Sequence, residues 1–261
     1  MTYPRAAALA ETLWTQPEHK SWSDFENRLN QHYVRMEKMG IAFQLGAPTL
    51  EPGVLNLAAA HEWKVTRPAL AGARVVLADG TEVRDGRVPA REGDVRLFFQ
   101  LPGGRRGDAA VGHAVTLRTA TGFTESGLKR TKIAWKGDLT PAPSAFAGGT
   151  SDVVSTATLD GLDLKEPFAL LFEGGLVIEK AGRYTLGIGS DDGSVLYLDG
   201  KRILENDGAH GYYERTVTVD LQPGVYPLQL TYFDAGGAQR VSLFWTPPGG
   251  QRETIANLRH R

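Results

Sequence analysis

One stretch constrains this chain more than any other: apolar–polar alternation broken by tight turns across residues 182–246. Residues 195–198 and 202–204 flank Asp199-Gly200, a dipeptide that accepts the left-handed backbone of a two-residue hairpin. Upstream, Tyr184, Leu186 and Ile188 alternate with Thr185, Gly187 and Gly189, a period of two in which one face is buried. Downstream, Pro223-Gly224 suits a type II turn before residues 226–233. Residues 240–245 read as a last strand, stopped at Pro247-Pro248 because proline cannot donate to a ladder. Short strands at this spacing predict an antiparallel β-sandwich over 128–261. Tyr184, Tyr226, Tyr232 and Trp245 fall at strand positions and are expected in its core.

The first 44 residues differ in kind. Pro4 and the alanine-rich segment after it predict one helix. A second is predicted over 22–39, opened by a Ser23…Glu26 capping box and closed by a left-handed Gly40. Its stripe is Trp22, Phe25, Leu29, Tyr33 and Met36, extending to Met39. Residues 45–127 predict a second, smaller sandwich, with strands near 54–57, 74–77 and 95–101 separated by Asp79-Gly80, Asp85-Gly86 and Gly103-Gly104. The expected architecture is therefore mainly β: two β-sandwich domains preceded by a short α-helical stub.

Composition narrows the function. The formal net charge is -1 with no basic segment, which disfavours nucleic acid as a partner. Cysteine is absent, so disulfides, thiolate catalysis and Cys-ligated zinc are excluded. No apolar run approaches the ~20 residues of a membrane helix. The six histidines are scattered without ligand spacing. Gly103-Gly104-Arg105-Arg106-Gly107 lacks the Lys-Ser/Thr of a phosphate loop and is read as a hairpin.

Two segments carry resemblances. The run GLVIEKAGRYTLGIGSDDGSVLYLDGKRILENDG, residues 175–208, and GVYPLQLTYFDAGGAQRVSLFWTPPG, residues 224–249, resemble the protective-antigen-like (PA-fourteen) module that glycosidases and adhesins use for carbohydrates. The opening is similar to the end of the catalytic barrel of glycoside hydrolase family 20, the β-N-acetylhexosaminidases. It carries Tyr3-Pro4-Arg5, Ala10-Glu11-Thr12-Leu13-Trp14, Trp22-Ser23-Asp24-Phe25 and Arg28-Leu29 in that order. Position then implies a chitobiase-type sandwich for the middle segment.

These resemblances imply an accessory region of a larger enzyme, periplasmic or secreted, whose partners are its own barrel and N-acetylhexosamine-containing glycans. Substrate-assisted hydrolysis in that family needs an adjacent aspartate-glutamate pair, and no Asp-Glu dipeptide occurs here. The chain alone is expected to be inactive. The alternatives are a structural or dimerising domain that binds no sugar, and a stand-alone calcium-dependent lectin. The apolar stripe of the second helix is expected to pack on the middle segment, drive self-association or fray.

The resemblance to flocculin adhesins implies carbohydrate contact through Asp191 and Asp192, joined by a cis peptide around calcium; Asp234, after the strand at 228–233, and Asn206-Asp207, in nearby loops, are candidate further oxygen donors. A plainer reading makes Asp191-Asp192-Gly193-Ser194 a tight turn whose carboxylates cap backbone amides. Tyr212 and Tyr213 are candidates either for stacking on sugar rings or for packing on a neighbouring domain. Glu11 and Trp14 are read as structural.

Overall fold

The computed structural model describes residues 4–66, 70, 72–164 and 167–261. Two compact units are present: Met1–Glu51 with Glu62–Ala114, and Pro52–His61 with Val115–Arg261. Among the described residues strands dominate both, and helices are confined to the opening residues and two short 3-10 turns.

In the first unit, helix α1 spans Arg5–Trp14 and helix α2 spans Trp22–Lys38. The α2 cap is not the predicted Ser23. Ser21, in extended backbone, accepts a 3.3 Å bond from the Asp24 amide, so the helix begins at Trp22 as predicted but on a different cap. The stop is as read from Gly40: its φ is +68°, its amide bonds the Glu37 carbonyl, and the Ile41 amide bonds that of Met36. Phe25, Tyr33 and Met36 are buried. Tyr33 lies 5.3 Å from the Phe43 ring, and the Glu37 carboxylate accepts from the Gly103 and Arg105 amides at 2.9 and 3.0 Å. The helix therefore packs on the segment that follows it. Trp22, at the first helical position, projects beyond that contact and remains 70% exposed.

The remainder of this unit holds a three-stranded sheet, Thr49–Glu51, Glu62–Thr66 and Arg87–Pro89. Strand Gly93–Gln100 pairs antiparallel with both Arg74–Leu77 and Ala110–Val115. Trp63, Val65, Val75, Val76, Leu97 and Phe99 are buried.

The second unit is two antiparallel sheets face to face. In one, the order is Thr150–Val154, Leu128–Ala134, Phe168–Ile178, Gly224–Asp234, Ser194–Leu198, Lys201–Asn206. The other runs Glu253–Thr254, Arg240–Thr246, Gly182–Asp191, Tyr213–Leu221, with Val54 paired in parallel to Val219. The longest ladder joins Phe168–Ile178 to Gly224–Asp234 in unbroken register from Phe168↔Asp234 to Ile178↔Gly224. Between the sheets lie Phe168, Phe172, Leu186, Ile188, Leu196 and Leu230, together with Tyr184, Tyr226, Tyr232 and Trp245, all buried as the alternation predicts. The predicted hairpin is present, with φ of +47° at Asp199 and +69° at Gly200. Gly224, at φ +146°, already belongs to its strand instead of closing a type II turn.

A buried arginine occupies one of the inward positions of strand Leu128–Ala134. Arg130 is 2% exposed, donates to the Asp152 carboxylate through Nε at 3.0 Å, and bonds the Thr158 and Asp160 carbonyls at 2.8 Å. On the opposite sheet Phe244 stands directly across from Gly187. Its ring folds over the missing side chain, under the Arg252 guanidinium at 3.7 Å. Gly187→Ala would put a methyl inside that ring. The expected outcome is a loss of about 1–3 kcal/mol, each worth roughly 2–4 °C in melting temperature for a unit of this size. Thermal unfolding followed by circular dichroism tests this, and an unchanged midpoint contradicts it.

Candidate functional site

The site builds from strand Gly182–Asp191, whose last peptide, Asp191-Asp192, is cis. At this turn the chain leaves one sheet for the other and re-enters at Ser194–Leu198. The Asp192 carboxylate turns inward and is 7% exposed. Its Oδ1 accepts from the His210 amide at 2.9 Å and its Oδ2 from the Ala235 amide at 2.8 Å. One side chain thus ties together the loops after Asn206 and after Asp234. The Asp191 carbonyl accepts from the Tyr232 hydroxyl at 2.6 Å.

Asp234 ends its strand 1% exposed. Oδ2 accepts from Gln239 Nε2 at 3.1 Å, and Oδ1 is buried with no protein partner. Burial raises its pKa, the bonds from Gln239 and from the Gly236 backbone partly offset this, and the charges of Asp192 and Asp191 raise it further. The same three carboxylates, together with burial as the larger cause, push the Tyr232 hydroxyl far above its ordinary value. Three acidic groups therefore share one end of the sandwich.

Asn206 and Asp207, named from the sequence as candidate oxygen donors, are both engaged within the protein. Asp207 Oδ1 gathers the Thr140 and Gly208 amides at 2.8 and 2.9 Å and the Thr140 hydroxyl, pinning a remote loop. Beneath the turn, Ser190, Ser194 and Asn206 form a buried cluster. Ser190 and Ser194 hydroxyls lie 2.7 Å apart, and Asn206 Nδ2 donates to Ser190 Oγ at 3.0 Å while its Oδ1 has no partner. Alternation along strand Ser194–Leu198 could have placed Ser194 inward. Nothing local announces the partners, which lie 16 and 67 residues away.

The two tyrosines diverge. Tyr212 is half-buried. Its hydroxyl donates to Glu214 at 2.9 Å, and the Arg240 guanidinium covers its ring at 4.1 Å. Tyr213 is exposed, with the His210 ring 4.1 Å away and Arg215 at 5.2 Å. Glu214 is held in turn by Arg252 at 2.6 Å, which lowers its pKa. In the first unit, Glu11 pairs with Arg28 across α1 and α2 at 2.6 Å, and Trp14 is exposed.

Among the described residues, no group of three or more His, Cys, Asp or Glu side chains is arranged to hold a metal ion. Both Asp192 oxygens already accept amides. The buried, unpartnered Asp234 Oδ1 beside two further carboxylates nevertheless has the oxygen chemistry of a hard divalent cation.

Residues 127–259 match the PA14 domain, just over half of the chain. The chain belongs to the PA14 domain family. It is also 36% identical over 53 residues to a β-N-acetylhexosaminidase from Cellulomonas fimi, covering 20% of this chain and 11% of that protein. It thus spans about a tenth of that relative. Among solved structures, a PA14 sugar-binding domain from an RTX adhesin matches at 20% identity and TM-score 0.44, covering 53% of this chain and all of that one. The epithelial adhesin 9 A domain from Candida glabrata, bound to Galβ1-3GlcNAc, matches at 10% identity and TM-score 0.38, over 52% of this chain and 88% of that one.

A raised carboxylate pKa has a definite stability signature. The folded state keeps a proton that the unfolded chain has released, so Asp234 costs nothing below the ordinary carboxylate pKa. It costs progressively more as pH rises through its folded value. Asp234→Asn, in chelator, is expected to melt higher than the parent at pH 7, with the gap closing near about pH 4. Calorimetry at the two pH values checks this, and a gap that does not change with pH refutes it.

Proposed function

We propose that this chain recognises carbohydrate at the end of the sandwich where Asp191, Asp192 and Asp234 meet, as an accessory region of a β-N-acetylhexosaminidase. The observation that carries this reading is the buried Asp234 oxygen without a protein partner, beside the Asp191-Asp192 pair. Asp191, Asp192 and Asp234 would hold calcium, whose preference is for carboxylate and carbonyl oxygens. Calcium supplies a Lewis-acidic centre for vicinal sugar hydroxyls. The protein's part is to fix the rim: Asp192 holds both flanking loops through two backbone amides. The covered ring and engaged hydroxyl of Tyr212 favour packing for that residue, which leaves Tyr213 as the aromatic available to a sugar ring.

The hexosaminidase part rests on the sequence pattern of residues 3–29 and on the partial identity with the Cellulomonas fimi enzyme. Residues 1–44 would then close a catalytic barrel and residues 45–127 would be the sandwich that follows it. An apolar groove between α1 and α2, lined by Ala7, Ala10, Trp14, Leu29 and Met39, supports this reading, because a barrel would cover it. A purely structural role for the region, without sugar binding, is the competing reading.

Retention on an array of N-acetylhexosamine oligosaccharides, with calcium and with chelator, decides between them. The parent protein is expected to be retained, and Asp191→Asn and Asp234→Asn to lose at least about tenfold in affinity, roughly 1.4 kcal/mol. Calcium at about one hundred times its dissociation constant should stabilise the parent by roughly 2.7 kcal/mol and the variants by much less. Equal retention of all three proteins, or none by any, overturns the reading. Separately, the chain alone is expected to leave a chromogenic N-acetylglucosaminide uncleaved. A version extended upstream through a full barrel should cleave it, and turnover by the chain alone would refute the accessory role.

A further inference from the structure

A second cleft lies on the outer face of the other sheet. Along the ladder, Lys129, Glu173, Gln229 and Tyr197 occupy one cross-strand row, since Glu173 pairs with both Lys129 and Gln229, and Gln229 with Tyr197. Gln229 stands five residues before Asp234 on the same strand, roughly 17 Å away at ~3.3 Å per residue. The rows nearer Asp234 are covered: Ala169, Leu171 and Phe233 pack under Phe146 and Trp135. At the Glu173 row that cover has ended, and a cleft of about 470 Å³ opens.

Gly174, Pro227 and the Phe123 ring line it beside that row. The Val225 side chain and the Phe123 ring fill the space a Gly175 side chain would take, and the Arg261 guanidinium lies over that ring at 4.6 Å. Gln229 Nε2 donates to Glu173 Oε1 at 2.9 Å. That bond holds the carboxylate in place, and both residues line the cleft. Lys129 brings a donor, and Asp199, anchored by the Arg118 amide at 3.0 Å, brings a further carboxylate.

In the cleft Lys129 and Arg261 stand against Glu173 and Asp199, with His260 beside them. An anionic ligand gains nothing from such a set, and an apolar one would leave these groups unpaired. A neutral molecule rich in hydroxyls can satisfy fixed donors and acceptors at once, and the volume lies in the range of small-molecule sites. We infer that this cleft is a second binding subsite, for the neutral end of a mono- or disaccharide, independent of the Asp191-Asp192 turn.

The test is a titration of the isotope-labelled full chain, followed by NMR, with N,N′-diacetylchitobiose, lactose and maltose in turn, each at millimolar concentration in calcium and in chelator. The inference expects amide shifts at Lys129, Glu173, Gln229 and Asp199 for at least one sugar, equal in both conditions and retained in Asp191→Asn. Gln229→Ala should weaken that set at least tenfold. Lys129→Met, at an exposed position, should weaken it too, and serves if Gln229→Ala melts below the working temperature. No shift at these four residues with any of the three sugars overturns the subsite, and so do shifts confined to the Asp191–Asp192 end. Loss of binding at the turn in Asp191→Asn, with the cleft shifts intact, separates failure of the turn from failure of the cleft.

Discussion

The ladder between Phe168–Ile178 and Gly224–Asp234 is the constraint on which the rest of the PA14 unit depends. Its register is locked because its inward residues, among them Phe168, Phe172, Leu228 and Leu230, form the wall of the core. A slip by one residue would turn that whole set to solvent. Everything polar on the two strands inherits the register. Asp234 lands opposite Phe168 at the end that meets the Asp191-Asp192 turn, and Gln229 lands opposite Glu173 in mid-strand. Both candidate sites are consequences of how an apolar surface is buried.

The turn end shows what such a scaffold can hold. Placing Asp192 and Asp234 at 7% and 1% exposure beside Asp191 concentrates negative charge where water cannot screen it. Asp192 is compensated by two backbone amides that also join the flanking loops. Asp234 is compensated on one oxygen only. An arrangement of this kind costs stability at neutral pH. It persists because the ladder and the Tyr232 hydroxyl beneath it fix the backbone on either side.

In the first unit the helices are held differently. Glu37 caps two loop amides and Tyr33 meets Phe43, so α2 is anchored by its second half. Its first half is joined to α1 by the Glu11–Arg28 pair, an exposed interaction of small worth. Trp14 and Trp22 stand out in solvent, an apolar surface unusual for a finished exterior.

What the sequence by itself determined is the local grammar: the period-two alternation, the Asp199-Gly200 hairpin, the Gly40 stop, and the inward Tyr184, Tyr226, Tyr232 and Trp245. Each is settled by backbone sterics and by the face a residue must occupy, and these act over a few residues. The Asp191-Asp192 turn was legible for the same reason. The α2 cap was misread by two residues because Ser21 and Ser23 offer equivalent hydroxyls, and only the entering backbone chose between them. Tertiary structure alone decided which loops Asp192 joins, that Asp234 keeps one oxygen unpartnered, that Arg240 covers Tyr212, and that Glu173 meets Gln229. Those contacts link residues 18 to 56 positions apart. Their formation depends on which strands become neighbours, and spacing along the chain carries no record of that choice.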